Sequence, residues 1–351
     1  MKYRVFLLLL LITIALWGVA GPAELSQLVV DDPPHWSAWT TPENLTVVNS
    51  TAGEAGAFIS RDGLSLYFGS GRGGNNLDIW VSHRAGKDMP WEAPQKLGPN
   101  INTSCNEQTP TLSMDGHWLY FARDCGGFGG QDIFVSRRHN NREDSGWQLP
   151  VNLGSGVNTA GNESCPALFE DEESGVTTLY FSSGVNLYAE DIYASTLQED
   201  GTFGQRALVE ELSLPDYRDA RPFVWKNGVI MLLDSNRPGT LGGQDLFISV
   251  RASTSDPWST PVNLGAVFNS GVLEARPVLS FDGTELYFHS NRTGTLGGND
   301  IYRSTRTKLT GPDKDGKAIL IALNVTRRNS QWAAVCCRPR RILMNPPGES
   351  I

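Results

Sequence analysis

Short runs of alternating apolar and polar residues, bounded by Gly, Pro, Asn and Asp, recur through most of this chain and predict strands rather than helices. The two clearest stretches read SMDGHWLYFARDCGGFGGQDIFVS (113–136) and SFDGTELYFHSNRTGTLGGNDIYRS (280–304). Each has an Asp-Gly turn, an alternating strand, a Gly-rich loop, then an Asp that opens a second strand. That Asp recurs at Asp78, Asp132, Asp191, Asp245 and Asp300, at spacings of 54, 59, 54 and 55 residues. A fixed period of this length in units made only of strands predicts a β-propeller.

The stretch 110–153 gives the layout of one blade. Strand A is expected over Pro110–Ser113, strand B over Trp118–Ala122, strand C over Asp132–Arg137 and strand D near Trp147–Leu153. The last blade has no fourth strand after Arg306. The missing piece stands at the front of the chain, where Trp39–Leu45 (WTTPENL) matches Trp258–Leu264 (WSTPVNL). The expectation is therefore an all-β, five-bladed ring over residues 36–306, closed by an N-terminal strand that completes the last blade. Closure of this kind leaves no free sheet edge.

Blade 3 departs from the pattern. EDEESGVTT (170–178) replaces the tight turn, SSGVNLYAE (182–190) replaces the Gly-rich loop, and Phe203 stands where the other blades have Trp. The Asp-Gly turns suit positive φ at Gly, with the Asp bonding nearby backbone N–H groups. The repeated Asp78, Asp132, Asp191, Asp245 and Asp300 are expected to have the same structural use, holding the B–C loops.

The ends differ from the ring. Lys2 and Arg4 precede an apolar run over Val5–Trp17 and then small residues, so residues 1–23 read as a secretory signal peptide. No later stretch is apolar enough to span a membrane. Residues 307–351 carry no blade pattern and read as a C-terminal extension without a fixed fold. Residues 24–307 hold 19 basic against 35 acidic residues, which argues against nucleic acid. The reading is thus of an exported, monomeric chain, periplasmic or extracellular. Three of the five cysteines, Cys105, Cys125 and Cys165, fall in the loops of one face. A Cys105–Cys125 bridge and a Cys125–Cys165 bridge both fit an oxidising compartment.

One acid precedes each innermost strand: Glu54, Glu107, Glu163, Asp219 and Glu274. The strand B ends place Arg72, Arg123, Arg237 and Arg292 on the same face, and blade 3 has none there. Arg221 and Arg276 lie two residues after their acids. Five carboxylates around a channel mouth would repel one another and could hold a cation, for which Ca²⁺ is the candidate. The competing expectation is that each acid caps backbone N–H groups or pairs with an arginine. Trp39, Trp91, Trp147 and Trp258 recur once per blade, either wedged between strands or available to stack on sugars. No His shows metal spacing.

The S-x-D-G-x-x-L-Y-F-x-S-x-R … G-G-x-D-I-Y-x-S repeat resembles the WD40-like propeller repeat of TolB-type exported proteins across residues 36–306. The resemblance implies a periplasmic or secreted interaction role. The primary expectation is accordingly a non-catalytic scaffold binding a protein, peptide or glycan at the loop face around the channel. The alternative is a five-bladed glycoside hydrolase, with Glu54, Glu163 and Glu274 as candidate acids, or a lectin acting on polysaccharide. An enzyme should show one asymmetric pocket; a lectin should show equivalent sites in each blade.

Overall fold

The computed structural model describes residues 35–74, 76–185 and 189–310. Strands β1 (His35–Trp36) and β2 (Glu43–Asn44) lead in. The first four blades follow as β3 (Glu54–Ile59) to β6 (Gln95–Lys96), β7 (Glu107–Leu112) to β10 (Val151–Asn152), β11 (Asn162–Glu170) to β14 (Ala207–Leu208), and β15 (Asp219–Val224) to β18 (Val262–Asn263). Blade 5 is β19 (Glu274–Leu279), β20 (Glu285–Ser290) and β21 (Asp300–Thr305), and its outer strand is β2. The ring therefore closes as the WTTPENL match predicts, with Asn44 opposite Tyr302. A short β22 (Lys308–Thr310) pairs with β1. The expected signal segment, residues 1–23, and almost all of the expected C-terminal extension lie outside the described residues.

The five blades are antiparallel four-stranded sheets, meanders in blades 1 to 4 and completed by β2 in blade 5, and the innermost strands β3, β7, β11, β15 and β19 neighbour one another around the axis. Apolar side chains fill the layers between blades. Leu66, Phe68, Leu119, Phe121, Leu179, Phe181, Leu286 and Phe288 of the B strands are fully buried. Such layers repeat the same core at each seam, which is how about 270 residues avoid needing one large core.

Two repeated devices hold the loops. The Asp opening strand C turns back on the Gly-rich loop. Asp132 accepts from the N–H of Phe128 (2.6 Å) and Gly129 (3.2 Å) and from Asn152 Nδ2 (2.7 Å). Asp245 and Asp300 do the same with Leu241, Gly242 and Asn263, and with Leu296, Gly297 and Asn44. Asp78 instead pairs with Lys96 at 2.6 Å. An Asn in the D–A crossover forms the second device. Asn49, Asn102, Asn158 and Asn269 each bond both the N–H and the C=O of the residue after that Asp.

The Trp series is structural. Trp39, Trp91, Trp147 and Trp258 are buried, and each lies under a guanidinium, that of Arg306, Arg84, Arg138 or Arg251, at 4.3–4.5 Å. The Nε of each of these arginines donates to the carbonyl of the Gly in its own tight turn: Gly283, Gly63, Gly116 and Gly228. These rings are closed to a sugar, which removes the per-blade stacking sites of a lectin. The bridge Cys105–Cys125 ties the crossover into blade 2 to the end of strand B, and Cys165 is a buried free thiol. A bridge closing a loop of this length stabilises by about 3 kcal/mol.

Candidate functional site

The five acids open the innermost strands, as the repeat predicts, but their carboxylates turn into their own blades. Glu274 accepts from Ser270 N (2.7 Å), Ser270 Oγ (2.6 Å), Ser290 Oγ (2.8 Å) and Arg292 Nη2 (3.1 Å). Glu54 with Arg72, Glu107 with Arg123 and Asp219 with Arg237 repeat the arrangement. In blade 3 the partner of Glu163 is Arg206, at 2.8 Å, reaching from the outer side of the blade. Sequence reading missed Arg206 because it does not stand at the strand B end. All five carboxylates are fully shielded from solvent, and none lines the axial cavity. Instead of an acid ring, the structure has five separate ion pairs, with no shared cage of open oxygens for Ca²⁺.

The residue two places after each acid faces the axis instead. Gly56, Thr109, Cys165, Arg221 and Arg276 line one cavity of about 40 Å³, together with the residues that follow them. All five have positive φ, between 55° and 64°. Each sits in a bulge where the pairing with strand B shifts register. In blades 2 to 5 the next residue is Pro. Proline is tolerated here because the strand's other edge meets only the channel. The bulge also explains why strand A begins earlier than predicted, at Glu107 rather than Pro110.

Left-handed backbone costs about 1–2 kcal/mol for a residue with a Cβ and nothing for Gly. Only blade 1 uses Gly at this position. That choice has a use, because a Cβ at Gly56 would land on Nη1 of Arg276. The Arg276 guanidinium therefore lies against Gly56 of the neighbouring blade 1.

Around this position blades 3, 4 and 5 differ from blades 1 and 2. On strand B the inward position is Gly69 and Ala122 in the first two blades, and Ser182, Asp234 and His289 in the last three. Asp234 is fully buried and accepts from Arg221 Nη1 (2.9 Å) and from the N–H of Arg276 (3.0 Å); Arg218 Nη1 lies 3.5 Å away. Arg218 also holds Glu190 through Nε (2.9 Å), and Ser164 Oγ donates to Glu190 at 3.2 Å. Arg221 continues the chain, donating to Gln244 Oε1 at 3.0 Å. Glu190, Arg218, Asp234 and Arg221 thus form one network across the seam of blades 3 and 4.

Three residues in this mouth have unsatisfied groups, and for Arg221 it is Nε alone, since its Nη1 is engaged by Asp234 and Gln244. Arg276 makes no side-chain hydrogen bond among the described residues, and its Nε and Nη1 are buried. Burial, with Arg221 adding repulsion, lowers its affinity for a proton below that of an ordinary arginine. His289 is 4 % exposed with Nδ1 unpartnered. Burial first, and then Arg221, Arg276 and Arg218, hold its imidazole well below the usual range, so it is neutral.

A depressed histidine binds its proton only after unfolding. Its contribution to stability is therefore full above about pH 6.5 and is lost as the pH falls. Melting temperatures of the wild type and His289→Gln between pH 7.5 and 5 should converge toward the acid end, with the wild type falling more steeply. Parallel curves would contradict a neutral buried His289.

Larger grooves, of about 990 and 730 Å³, open at the blade seams on the opposite face. Charges there pair internally, Arg84 and Arg303 with Glu285 in one groove, and Arg138 and His83 with Asp144 in the other.

No family model and no curated protein sequence matches the chain. Solved structures do share its fold. An endo-arabinase from Bacteroides thetaiotaomicron is 19 % identical, with 79 % of this chain and 99 % of that one covered and a TM-score of 0.52. An α-L-arabinofuranosidase from Podospora anserina is 12 % identical, covering 79 % and 98 %, at 0.53. A thermostable family-43 glycoside hydrolase is 13 % identical, covering 76 % and 98 %, at 0.51. These neighbours correct the expectation of a non-catalytic scaffold. Nearly the whole length of each superposes on this ring, so the fold is shared. Among the described residues no helix is long and apolar enough to cross a membrane.

Proposed function

We propose that this chain is a carbohydrate-active propeller of the glycoside-hydrolase type, acting on a polysaccharide at the loop-face mouth of its channel, between blades 3, 4 and 5. The observation that carries this reading is the asymmetry of that mouth. Five equivalent positions around one axis hold Gly, Thr, Cys, Arg and Arg, and the charged ones stand side by side. A dedicated site on a repeat scaffold is expected to break the repeat in this way, whereas a set of capping residues is expected to keep it.

Glycosidic hydrolysis uses two carboxyl groups flanking the bond. Glu190 of blade 3 and Asp234 of blade 4, bridged by Arg218, are the pair this mouth offers. The candidate acids named from sequence, Glu54, Glu163 and Glu274, are each committed to an arginine within their own blade, whereas Glu190 and Asp234, equally buried, belong to the network that reaches the cavity through Arg221. Fold likeness to an endo-arabinase and to arabinofuranosidases adds support for a glycan as the partner. The apolar leader at the N-terminus fits an exported protein that meets polysaccharide outside the cell.

The test is a panel of soluble plant and microbial polysaccharides, read by affinity electrophoresis and by release of reducing ends. Retardation by at least one polysaccharide, with reducing ends released by the wild type and not by Asp234→Asn or Glu190→Gln, is the expected result. Failure of every polysaccharide to bind would overturn the reading.

A further inference from the structure

Three arginines, Arg218, Arg221 and Arg276, meet two carboxylates, Glu190 and Asp234, in this mouth. Arg218 is used by both carboxylates and Arg221 by Asp234. Arg276 is left over. Its main-chain N–H is taken by Asp234, but its guanidinium finds no acceptor. Keeping guanidinium N–H groups away from water with no acceptor is costly, and here it falls on Nε and Nη1. The backbone adds to that cost, since φ at Arg276 is 55° where blade 1 solves the same position with Gly. Folding stability does not explain such a residue. Strain and unpaired charge of this kind are kept where a ligand supplies what is missing.

Building on the glycan reading above, we propose that the mouth is selective for an acidic polysaccharide, and that Arg276 receives the carboxylate of a uronic acid residue. Size supports this assignment. The cavity beneath Arg276 is about 40 Å³, too small for a sugar ring and sufficient for a substituent or a few waters. The sugar ring must therefore stay above the channel and send one group down. A planar guanidinium matches a carboxylate through two parallel N–H donors, a geometry that a neutral hydroxyl does not fill. Another unsatisfied group, Nδ1 of buried His289, stands on strand B beside the residue before Arg276, opposite Ala275. With its three arginine neighbours it is a neutral partner, so it adds no competing charge.

The rest of the surface makes the choice sharper. Residues 24–307 are strongly acidic overall, so an anionic chain is repelled except where arginine is in excess. A neutral arabinan or galactan would leave Arg276 as unpaired in the complex as it is alone.

The experiment compares the purified protein on polygalacturonate and alginate, on arabinan and galactan, and on dextran sulfate, by affinity electrophoresis and calorimetry. Arg276→Asn, which tolerates the left-handed backbone, and Arg276→Lys, which keeps the charge without the fork, are run beside the wild type. The expected result is binding to a uronate polymer at least ten-fold tighter than to neutral glycans. Arg276→Asn should lose it, Arg276→Lys should recover it in part, and the melting temperature of Arg276→Asn should match or exceed that of the wild type. Equal binding of a neutral glycan, undiminished uronate binding in Arg276→Asn, or preference for dextran sulfate would overturn the uronate assignment while leaving the glycan reading in place. Binding to none of the polymers would take down both.

Discussion

Glu274→Gln should lower the stability of the ring by about 3–5 kcal/mol, the cost of removing one partner from a buried pair. In a domain of this size that corresponds to roughly 5–9 °C in melting temperature. The carboxylate is fully shielded and accepts four hydrogen bonds, and Arg292 keeps only 18 % of its side chain exposed. Glutamine retains the shape but leaves Arg292 without its counter-ion, and its amide directs N–H groups at donors. The control is Glu172→Gln. Its pair with Arg61 is 3.7 Å long and exposed on both sides, so its loss should cost less than 1 kcal/mol. Differential scanning calorimetry of the three proteins decides. A Glu274→Gln shift as small as the control's would mean that the acids are not the clamps of the blades, and would return them to consideration as ligand groups.

The second large effect is expected at Asp234→Asn, and its two readouts should move in opposite directions. Asp234 is the fully buried partner of Arg221 and Arg218 and accepts the N–H of Arg276. Losing its charge should destabilise by about 3–5 kcal/mol for the same reason as above. The mouth would then hold three arginines against Glu190 alone. An anionic ligand should bind more tightly to it, even though hydrolysis is abolished. Calorimetric titration with a uronate oligosaccharide beside a thermal melt gives both numbers. Weaker binding together with lower stability would indicate that the excess of arginine does not set the affinity.

The architecture was legible because it is written five times. The alternation in LYFA and DIFVS, the Asp-Gly turns and the 54–59 residue period each report on local geometry that repeats without exception in blades 2 and 5. Ring closure by Trp39–Leu45 was legible for the same reason, as a missing unit found elsewhere. The site was not, because it consists of departures from the repeat. Arg221 and Arg276 could be noticed two residues after their acids. That this position faces the axis depends on a bulge in strand A, and a bulge inverts which side chains point inward without changing residue types. The acids themselves misled because strand order says that they start the innermost strand. Only the hydrogen bonds from Ser50, Thr103, Thr159 and Ser270 show that they turn away from the channel. A residual signal existed: a Ser or Thr four residues before the acid in four blades, which is the pattern of a carboxylate that caps its own crossover.

The burial of the once-per-blade Trp has a similar lesson. The ring of Trp258 lies under Arg251, whose Nε is committed to Gly228 O, so the aromatic face is covered by a guanidinium that the turn itself fixes. An aromatic repeated in register with a turn is better explained by that turn than by a ligand.

The most direct test of the site assignment is a crystal structure of the protein grown with a uronate oligosaccharide. The account predicts a sugar above the channel mouth, its carboxylate on Arg276, with blades 3, 4 and 5 supplying the contacts. An oligosaccharide seated instead in a seam groove of the opposite face, with the Arg276 guanidinium still unpaired, would contradict it.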